Sequence, residues 1–414
     1  MLPRLGPLAG REFRLLFTGQ LVSLLGTAVA PIALAFAVLD LTHSATDLGL
    51  VLAAGWIPQL LLVLFGGVFA DRLPRHLVMV GSNLLSAGAQ GAIALLLLTH
   101  HAQLWHLIAL QVVRGIATSF FFPASQGLVP ETVPTAQLQQ ANALLGLTRN
   151  VTSILGYALG GVLVALAGPG WALAFDAATY AASAVVLAGM RLRRSERLAA
   201  GEILHDLAEG WSEFASRTWL WSIVVAAGFG NMAAVGSSMV LGPLVAKESL
   251  DGASSWAAIL ACEGAGFLVG GIVLLRWRPQ RPLLAGECAL LVWALPLALL
   301  ASVPSTPLIA AAFFLSGMAL ELFNVAWSTA LQQHVPLDKL SRVSAYDALG
   351  SFVFIPLGLT IVGPVAEVLG VSETLWLGAA ICVTATLAAL SVRDVRELRR
   401  TDDAPPGLAL EGSS

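Results

Sequence analysis

Apolar residues run through this chain in twelve stretches of about twenty, and the charged residues fall in short clusters between them. The stretches lie at approximately 13–39, 46–70, 77–99, 105–128, 142–167, 172–190, 219–245, 255–275, 283–303, 308–330, 343–368 and 374–392. About twenty apolar residues are what an α-helix needs to cross roughly 30 Å of hydrocarbon. Barrel strands would be shorter and would alternate apolar with polar, whereas a helix satisfies every backbone group internally. The pattern predicts an all-α membrane protein with twelve transmembrane helices.

The longest interruption, residues 191–218, divides the spans six and six. It predicts an N-terminal six-helix bundle over 1–190, a cytoplasmic linker over 191–218, a C-terminal six-helix bundle over 219–392 and a partly disordered cytoplasmic tail over 393–414. Within the linker Leu198, Ile203, Leu204, Leu207, Trp211 and Phe214 recur at helical spacing opposite Glu202, Asp206, Glu209 and Glu213, the signature of a helix lying on a membrane surface. The halves also match at a constant offset. Gly115 corresponds to Gly317, Val133-Pro134 to Val335-Pro336, and Leu155-Gly156 to Leu357-Gly358, which points to duplication and to a substrate path at the repeat interface.

Charge fixes the expected orientation. Of 22 Lys and Arg residues, Lys247 alone falls in an outer loop and Arg114 alone inside a span; the other twenty lie on one side, predicting cytoplasmic termini. The net charge of −3 adds nothing to the picture, and no basic patch suggests nucleic acid as a partner. Cys262, Cys288 and Cys382 fall within spans without CxxC spacing, and the histidines form no ligand constellation, so neither a disulfide nor a metal site is expected. Met1 to Arg14 leads into a full-length span rather than a cleavable signal, so the first helix is expected to direct insertion. No cofactor is expected, and a monomer is.

The segment after the second span reads Gly67-Val-Phe-Ala-Asp71-Arg72-Leu-Pro74-Arg75-His76. It resembles the G-x-x-x-D-R-x-G-R-R/K signature of the major facilitator superfamily, in the place where that family carries it, with Pro74 for glycine and His76 for the last cation. Arg114-Gly115, Phe122-Pro123-Ala124, the opening Phe13-Arg14 and His43-Ser44-Ala45-Thr46-Asp47 fit the drug- and siderophore-exporting branch, with its enterobactin exporters and macrolide-efflux proteins. The resemblance implies a fold of two six-helix bundles and a cytoplasmic gate at Gly67, Asp71, Arg72 and Arg75. In the fifth span Gly156-Tyr157-Ala-Leu-Gly160-Gly161 is similar to the antiporter motif G-P-x-x-G-G, with tyrosine in the proline position. Gly156, Gly160 and Gly161 serve equally well as plain packing glycines.

Ionisable residues inside a span cost roughly 2.5–3.5 kcal/mol each at the centre, which makes them functional candidates. Arg114, Asp176, Glu263, Glu287, Glu321 and Asp347 qualify. Removing a carboxylate from water favours its protonated form, the requirement for coupling to a proton gradient. Glu321, Glu263, Asp176 and Asp347, with Arg114 to polarise an acid or hold an anion, are therefore proton-coupling candidates; buried ion pairs or interhelical hydrogen bonds are the structural alternative. Asp40, Asp47, Glu131 and Glu367 sit at predicted helix ends, where solvation or capping is expected, and Ser44-x-x-Asp47 reads as a capping box.

In the superfamily, helices 1, 4, 7 and 10 line the path. This nominates Gln20, Thr27, Phe120, Phe121, Asn231, Met232, Phe323 and Asn324, a mixture of apolar surface and sparse polar groups suited to a lipophilic or amphipathic solute. The resemblance implies a proton-driven exporter of such a small molecule (a drug, secondary metabolite or siderophore) in the bacterial inner membrane, with protons and membrane lipid as its other partners. A proton-coupled importer of a small nutrient on the same fold is the alternative. No HExxH, nucleophile elbow or Walker motif supports an enzyme.

Overall fold

A computed structural model describes residues 6–191, 210–277, 279–302 and 305–400, apart from the side chains of 63–72, 275, 337, 338 and 341. Twelve helices among them are long and apolar enough to cross a membrane. They are α1 (Arg11–Thr42), α2 (Ala45–Arg72), α3 (Arg75–Leu98), α4 (Leu104–Thr132), α5 (Leu138–Ala167) and α6 (Pro169–Ala188) in the first half. The second half holds α7 (Thr218–Ser249), α8 (Ala253–Arg276), α9 (Pro282–Leu290 and Ala294–Ser302), α10 (Thr306–His334), α11 (Leu337–Phe352 and Ile355–Leu369) and α12 (Val371–Ser391). The chain is an all-α, multi-pass membrane protein. Most of the linker, 192–209, and the tail from 401 lie outside the described residues, and the surface helix expected in the linker falls largely on them.

Two spans expected to be continuous are broken. A 3-10 turn, Leu291–Trp293, interrupts α9, and Val353-Phe354 interrupt α11. Proline explains both, because its ring cannot coexist with the carbonyl four residues earlier. Pro296 displaces the carbonyl of Val292, and Pro356 that of Phe352. At the second break Asn231 Nδ2 of α7 donates to the Ser351 carbonyl at 2.9 Å, so the interruption is satisfied within the protein rather than exposed to lipid.

The duplication is visible in the packing. In the first half α4 crosses α2 with Gly115 against the backbone of Gly55, and in the second α10 crosses α8 with Gly317 against the backbone of Glu263. Gly156 brings α5 onto α1 at Leu25 and Ala28, and its counterpart Gly358 brings α11 onto α7 at Met232. The corner between α5 and α6 is Gly168 at φ 85°, and that between α11 and α12 is Gly370 at φ 103°. Only glycine adopts such backbone without strain, so one residue suffices to reverse the chain. Small residues at these crossings give close backbone approach, which carries helix association where lipid removes the hydrophobic drive.

The bundle has a linker end, bearing the chain start and the linker, and a far end, bearing the α1–α2, α7–α8 and α11–α12 joints. The two halves meet at the far end and on to mid-span, where Gly264 of α8 packs on Ile154 of α5. Gly161 of α5 meets Ala253 and Ala257 of α8, Gly363 of α11 meets Ala45 and Thr46 of α2, and Gly49 of α2 meets Leu359 of α11. Lys247 Nζ of α7 donates to Asp40 Oδ1 at 2.5 Å and to the Leu39 carbonyl at 2.9 Å. Thr46 Oγ1 donates to Glu367 Oε1 at 2.7 Å. The expected helix-end acids Asp40 and Glu367 are thus cross-bundle ties. These contacts close the far end.

Candidate transport site

A cavity of about 220 Å³ lies between the halves just inside the closed end. Pro31 of α1, Tyr157 of α5, Trp256 and Glu263 of α8, Trp293 of α9 and Phe313 of α10 line it, with α2 and α7 completing the wall. Glu263 is ten residues into α8, about 15 Å from the far end at 1.5 Å per residue, near the middle of the span. It is the sole ionisable carboxyl of the lining, and the Tyr157 phenol lies within its electrostatic reach. The 3-10 turn in α9 delivers Trp293 to the wall. Trp256 is itself held edge-on by Phe313, with ring centroids 5.7 Å apart. Chemically this is an aromatic box with one acid and one phenol.

A second polar centre lies inside the first half. Gln90 Nε2 of α3 donates to Asp176 Oδ2 of α6 at 2.7 Å, and Thr27 Oγ1 of α1 lies 2.9 Å from Tyr180 Oη. Arg114 of α4 lies within electrostatic reach of both Tyr180 and Asp176. The sequence named Arg114 and Asp176 together, and the fold brings them into one network with Tyr180. Asp176 and Tyr180 stand one turn apart on the same face of α6, which is why they meet the same partner. Asp176 Oδ1, Gln90 Oε1 and Arg114 Nε have no hydrogen-bond partner among the described residues, so the network keeps two acceptors and one donor in reserve.

The remaining acids are elsewhere. Asp347 accepts from Trp327 Nε1 at 2.9 Å and from Ser351 Oγ at 3.2 Å, fastening α11 to α10 with both oxygens occupied. Glu321 of α10 packs on Gly270 and Gly271 of α8, half-buried. Glu287 of α9 is buried. The five proton-coupling candidates therefore form no single cluster.

None of the eight path candidates lines the cavity. Thr27 belongs to the Tyr180 network, and Asn231 seals the break in α11. Met232 faces α11 and α12, Phe323 stacks on Trp327 inside the second half, and Phe121 joins the core of the first half. Gln20 is buried in α1, Phe120 partly buried on α4 and Asn324 exposed on α10. The cavity residues that sequence reasoning missed are Tyr157, Trp256 and Trp293. Tyr157 carried a signal, standing where the antiporter motif has proline; the tryptophans carried none beyond being bulky rings in a span.

In the fifth helix the neighbouring glycines serve different partners: Gly156 and Gly160 admit α1, and Gly161 admits α8 of the other half. At the linker end Arg75 donates to the Gly127 carbonyl at 2.6 Å and to Glu131 Oε1 at 3.0 Å, tying the start of α3 to the end of α4. Gly67, Asp71 and Arg72 lie on the last turns of α2, and their side chains are outside the described set.

Residues 16–358 match the family profile described as Major Facilitator Superfamily. The chain is 21% identical over 397 residues to macrolide efflux protein A of Streptococcus pyogenes, covering 94% of this chain and 97% of the relative. It is 25% identical to the multidrug efflux pump Tap of Mycolicibacterium fortuitum, covering 84% and 88%. In architecture it is similar to a bacterial homologue of the human lysosomal transporter Spinster solved in an inward-facing, unoccupied conformation, at a TM-score of 0.73 and 14% identity over 93% of this chain and 98% of that one. The nucleoside transporter NupG is similar too, at a TM-score of 0.71 and 14% identity over 92% and 98%.

Proposed function

The chain belongs to the Major Facilitator Superfamily and is a transporter rather than an enzyme, and from that premise we propose that it exports a lipophilic or amphipathic small molecule from a bacterial cytoplasm by proton antiport. The observation that carries this reading is the cavity: aromatic walls from both halves around the single carboxyl of Glu263. Aromatic faces accept flat apolar solutes, and a carboxylate in their midst favours a neutral or cationic one. An anionic siderophore would need a cation in the wall, and Arg114 is not in that wall but lies within electrostatic reach of Tyr180 and Asp176 in the first half. A carboxyl within the cavity can hold a proton or face a substrate cation, and exchanging one for the other is the coupling step antiport requires.

The direction follows from charge. The basic clusters gather at the linker end, which supports a cytoplasmic position for that end in the inner membrane. On this reading the far end faces the periplasm, and it is shut by the small-residue crossings and the Lys247–Asp40 pair. Similarity to efflux pumps over nearly the whole chain supports export.

Inside-out vesicles carrying the protein test this. Uptake of a fluorescent lipophilic cation that requires an acidic lumen, so that protons leave as the cation enters, collapses with a protonophore and is lost in Glu263→Gln is the expected result. Accumulation only in right-side-out vesicles would instead mean proton-coupled import.

A further inference from the structure

On the outer surface of the second half, remote from the central cavity, a pocket of about 240 Å³ opens where α8 ends and α9 begins. Its apolar side is the cleft between α8 and α10, with Leu274, Leu322 and Val325; its rim holds Trp277, Pro279 and Arg400. Trp277 and Val325 are exposed, 47% and 39%, so the cleft faces the bilayer rather than the protein interior. The volume equals about eight waters at roughly 30 Å³ each. Arg400 is brought there by its own backbone, whose N–H donates to the Gln280 carbonyl at 2.9 Å and closes the chain end onto the α8–α9 connection.

Among the described residues Arg400 is the one charged side chain of the pocket lining, and two more arginines flank the α8–α9 connection. Arg276 ends α8, Arg281 precedes α9 and Arg400 lines the pocket. Arg276 and Arg400 have no carboxylate at ion-pair distance among the described residues, and Glu397, whose field reaches Arg281, is itself paired with Arg393 at 2.9 Å. Glu321, next to Leu322, leans onto Gly270 and Gly271 further along the span. Unpaired guanidiniums at the end of a span, beside an exposed tryptophan and above an apolar cleft, match the three parts of a phospholipid in order: phosphate, interfacial glycerol and acyl chain.

We infer that this pocket is a binding site for an anionic phospholipid, with Arg276, Arg281 and Arg400 at the headgroup, Trp277 at the glycerol level and the α8–α10 cleft along the acyl chain. A lipid seated there bridges α8, α9 and α10. It does so independently of the direction or cargo of transport.

Brominated lipids quench tryptophan on contact, and Trp277 can be isolated among the eleven tryptophans as the difference between the wild-type chain and Trp277→Phe. Both are reconstituted in phosphatidylcholine vesicles with a minor fraction of brominated phosphatidylglycerol or, separately, brominated phosphatidylcholine. The Trp277 component is expected to be quenched by both, with phosphatidylglycerol preferred at least fivefold, the effect of about one arginine at a lipid headgroup. Replacing all three arginines with glutamine is expected to bring the ratio close to one, while replacing them with lysine keeps most of it; size-exclusion elution of each variant reports folding. Equal quenching by the two lipids in the wild type, or an unchanged ratio in the glutamine variant, overturns the assignment. Absence of Trp277 quenching by either lipid also overturns it, since protein and not lipid then covers the pocket.

Discussion

Gly161 and Gly363, 202 positions apart, stand at equivalent points of the two halves, and each is pressed against a helix of the other half. Gly161 faces Ala253 and Ala257 on α8, and Gly363 faces Ala45 and Thr46 on α2. The closed far end is therefore built twice from one ancestral crossing, and it is built on the absence of a side chain. A Cβ at Gly363 would fall 2.5 Å from Thr46 Cα and 2.6 Å from its nitrogen, which backbone must move to relieve. Gly363→Val is expected to destabilise the closed end by about 1–3 kcal/mol, the usual cost of overpacking, and to shift the population towards outward-open by about five- to 150-fold. Gly161→Val acts in the same direction. Disulfide cross-linking between cysteines placed at 40 and 247, in a chain lacking the three native cysteines, should slow accordingly; an unchanged rate would mean that the crossings do not hold the gate.

The Lys247–Asp40 pair is the weaker tie, because both side chains are partly exposed. Pairs of that kind contribute about 0.2–1 kcal/mol. Lys247→Met should open the far end more than Asp40→Asn does, since Lys247 also donates to the Leu39 carbonyl at the end of α1. The exchange of charges, Asp40→Lys with Lys247→Asp, should recover part of the loss. Spin-label distances across the far end would read the series, and equal effects of the two single variants would contradict the double role of Lys247.

At the cavity, Glu263→Gln keeps the shape and removes the exchangeable proton. Gradient-driven transport is expected to fall at least tenfold, while binding of a neutral substrate, measured by tryptophan quenching from Trp256 and Trp293, stays within about twofold. Tyr157→Phe retains the ring and should lower transport of cationic substrates several-fold through loss of the phenol beside the carboxylate. Full gradient-driven transport by Glu263→Gln would remove Glu263 from the coupling step.

Asp176, Arg114 and Tyr180 lie within electrostatic reach of one another, and that decides how the two charges respond to substitution. Asp176→Asn preserves an acceptor for Gln90 but leaves Arg114 without a balancing charge, at an expected cost of about 1–3 kcal/mol in detergent unfolding experiments. Adding Arg114→Gln should recover part of that loss. Additive losses in the double variant would mean that the two charges do not sense each other.

The twelve spans were legible because apolar runs of about twenty residues are imposed by the bilayer on any helical chain that crosses it. The repeat was legible at Gly115 and Gly317, where helix crossings tolerate nothing larger. The breaks in α9 and α11 had a signal in Pro296 and Pro356 that hydropathy alone passes over. Asp40 and Glu367 read as solvated helix ends because their partners, Lys247 and Thr46, are more than 200 positions away. The cavity was hidden for a related reason: Trp256, Trp293 and Tyr157 look like any ring in a span, and only the angle at which two halves meet turns them to a common space.

At the linker end Glu213 joins three elements, accepting from Arg217 at the start of α7 and from Lys339 Nζ of α11 at 3.2 Å. The hydrogen bond from Arg217, with further help from Lys339, holds its carboxyl below the ordinary glutamate range. Trp211 and Phe214 on the same short helix pack with Tyr346 of α11, ring centroids 5.4 Å and 6.0 Å away. A carboxyl with a lowered value in the folded protein contributes stability that is complete above its unfolded value, about 4.3, and is lost as pH falls through the lowered one. The clamp is therefore constant across the physiological range and fails only in acid. Hydrogen exchange of residues 210–216, corrected for intrinsic rates, should be faster in Glu213→Gln than in the wild type by the same factor at pH 6 and pH 8. The difference should shrink below pH 4. A difference that already changes between pH 6 and pH 8 would place the responsible titration on another group.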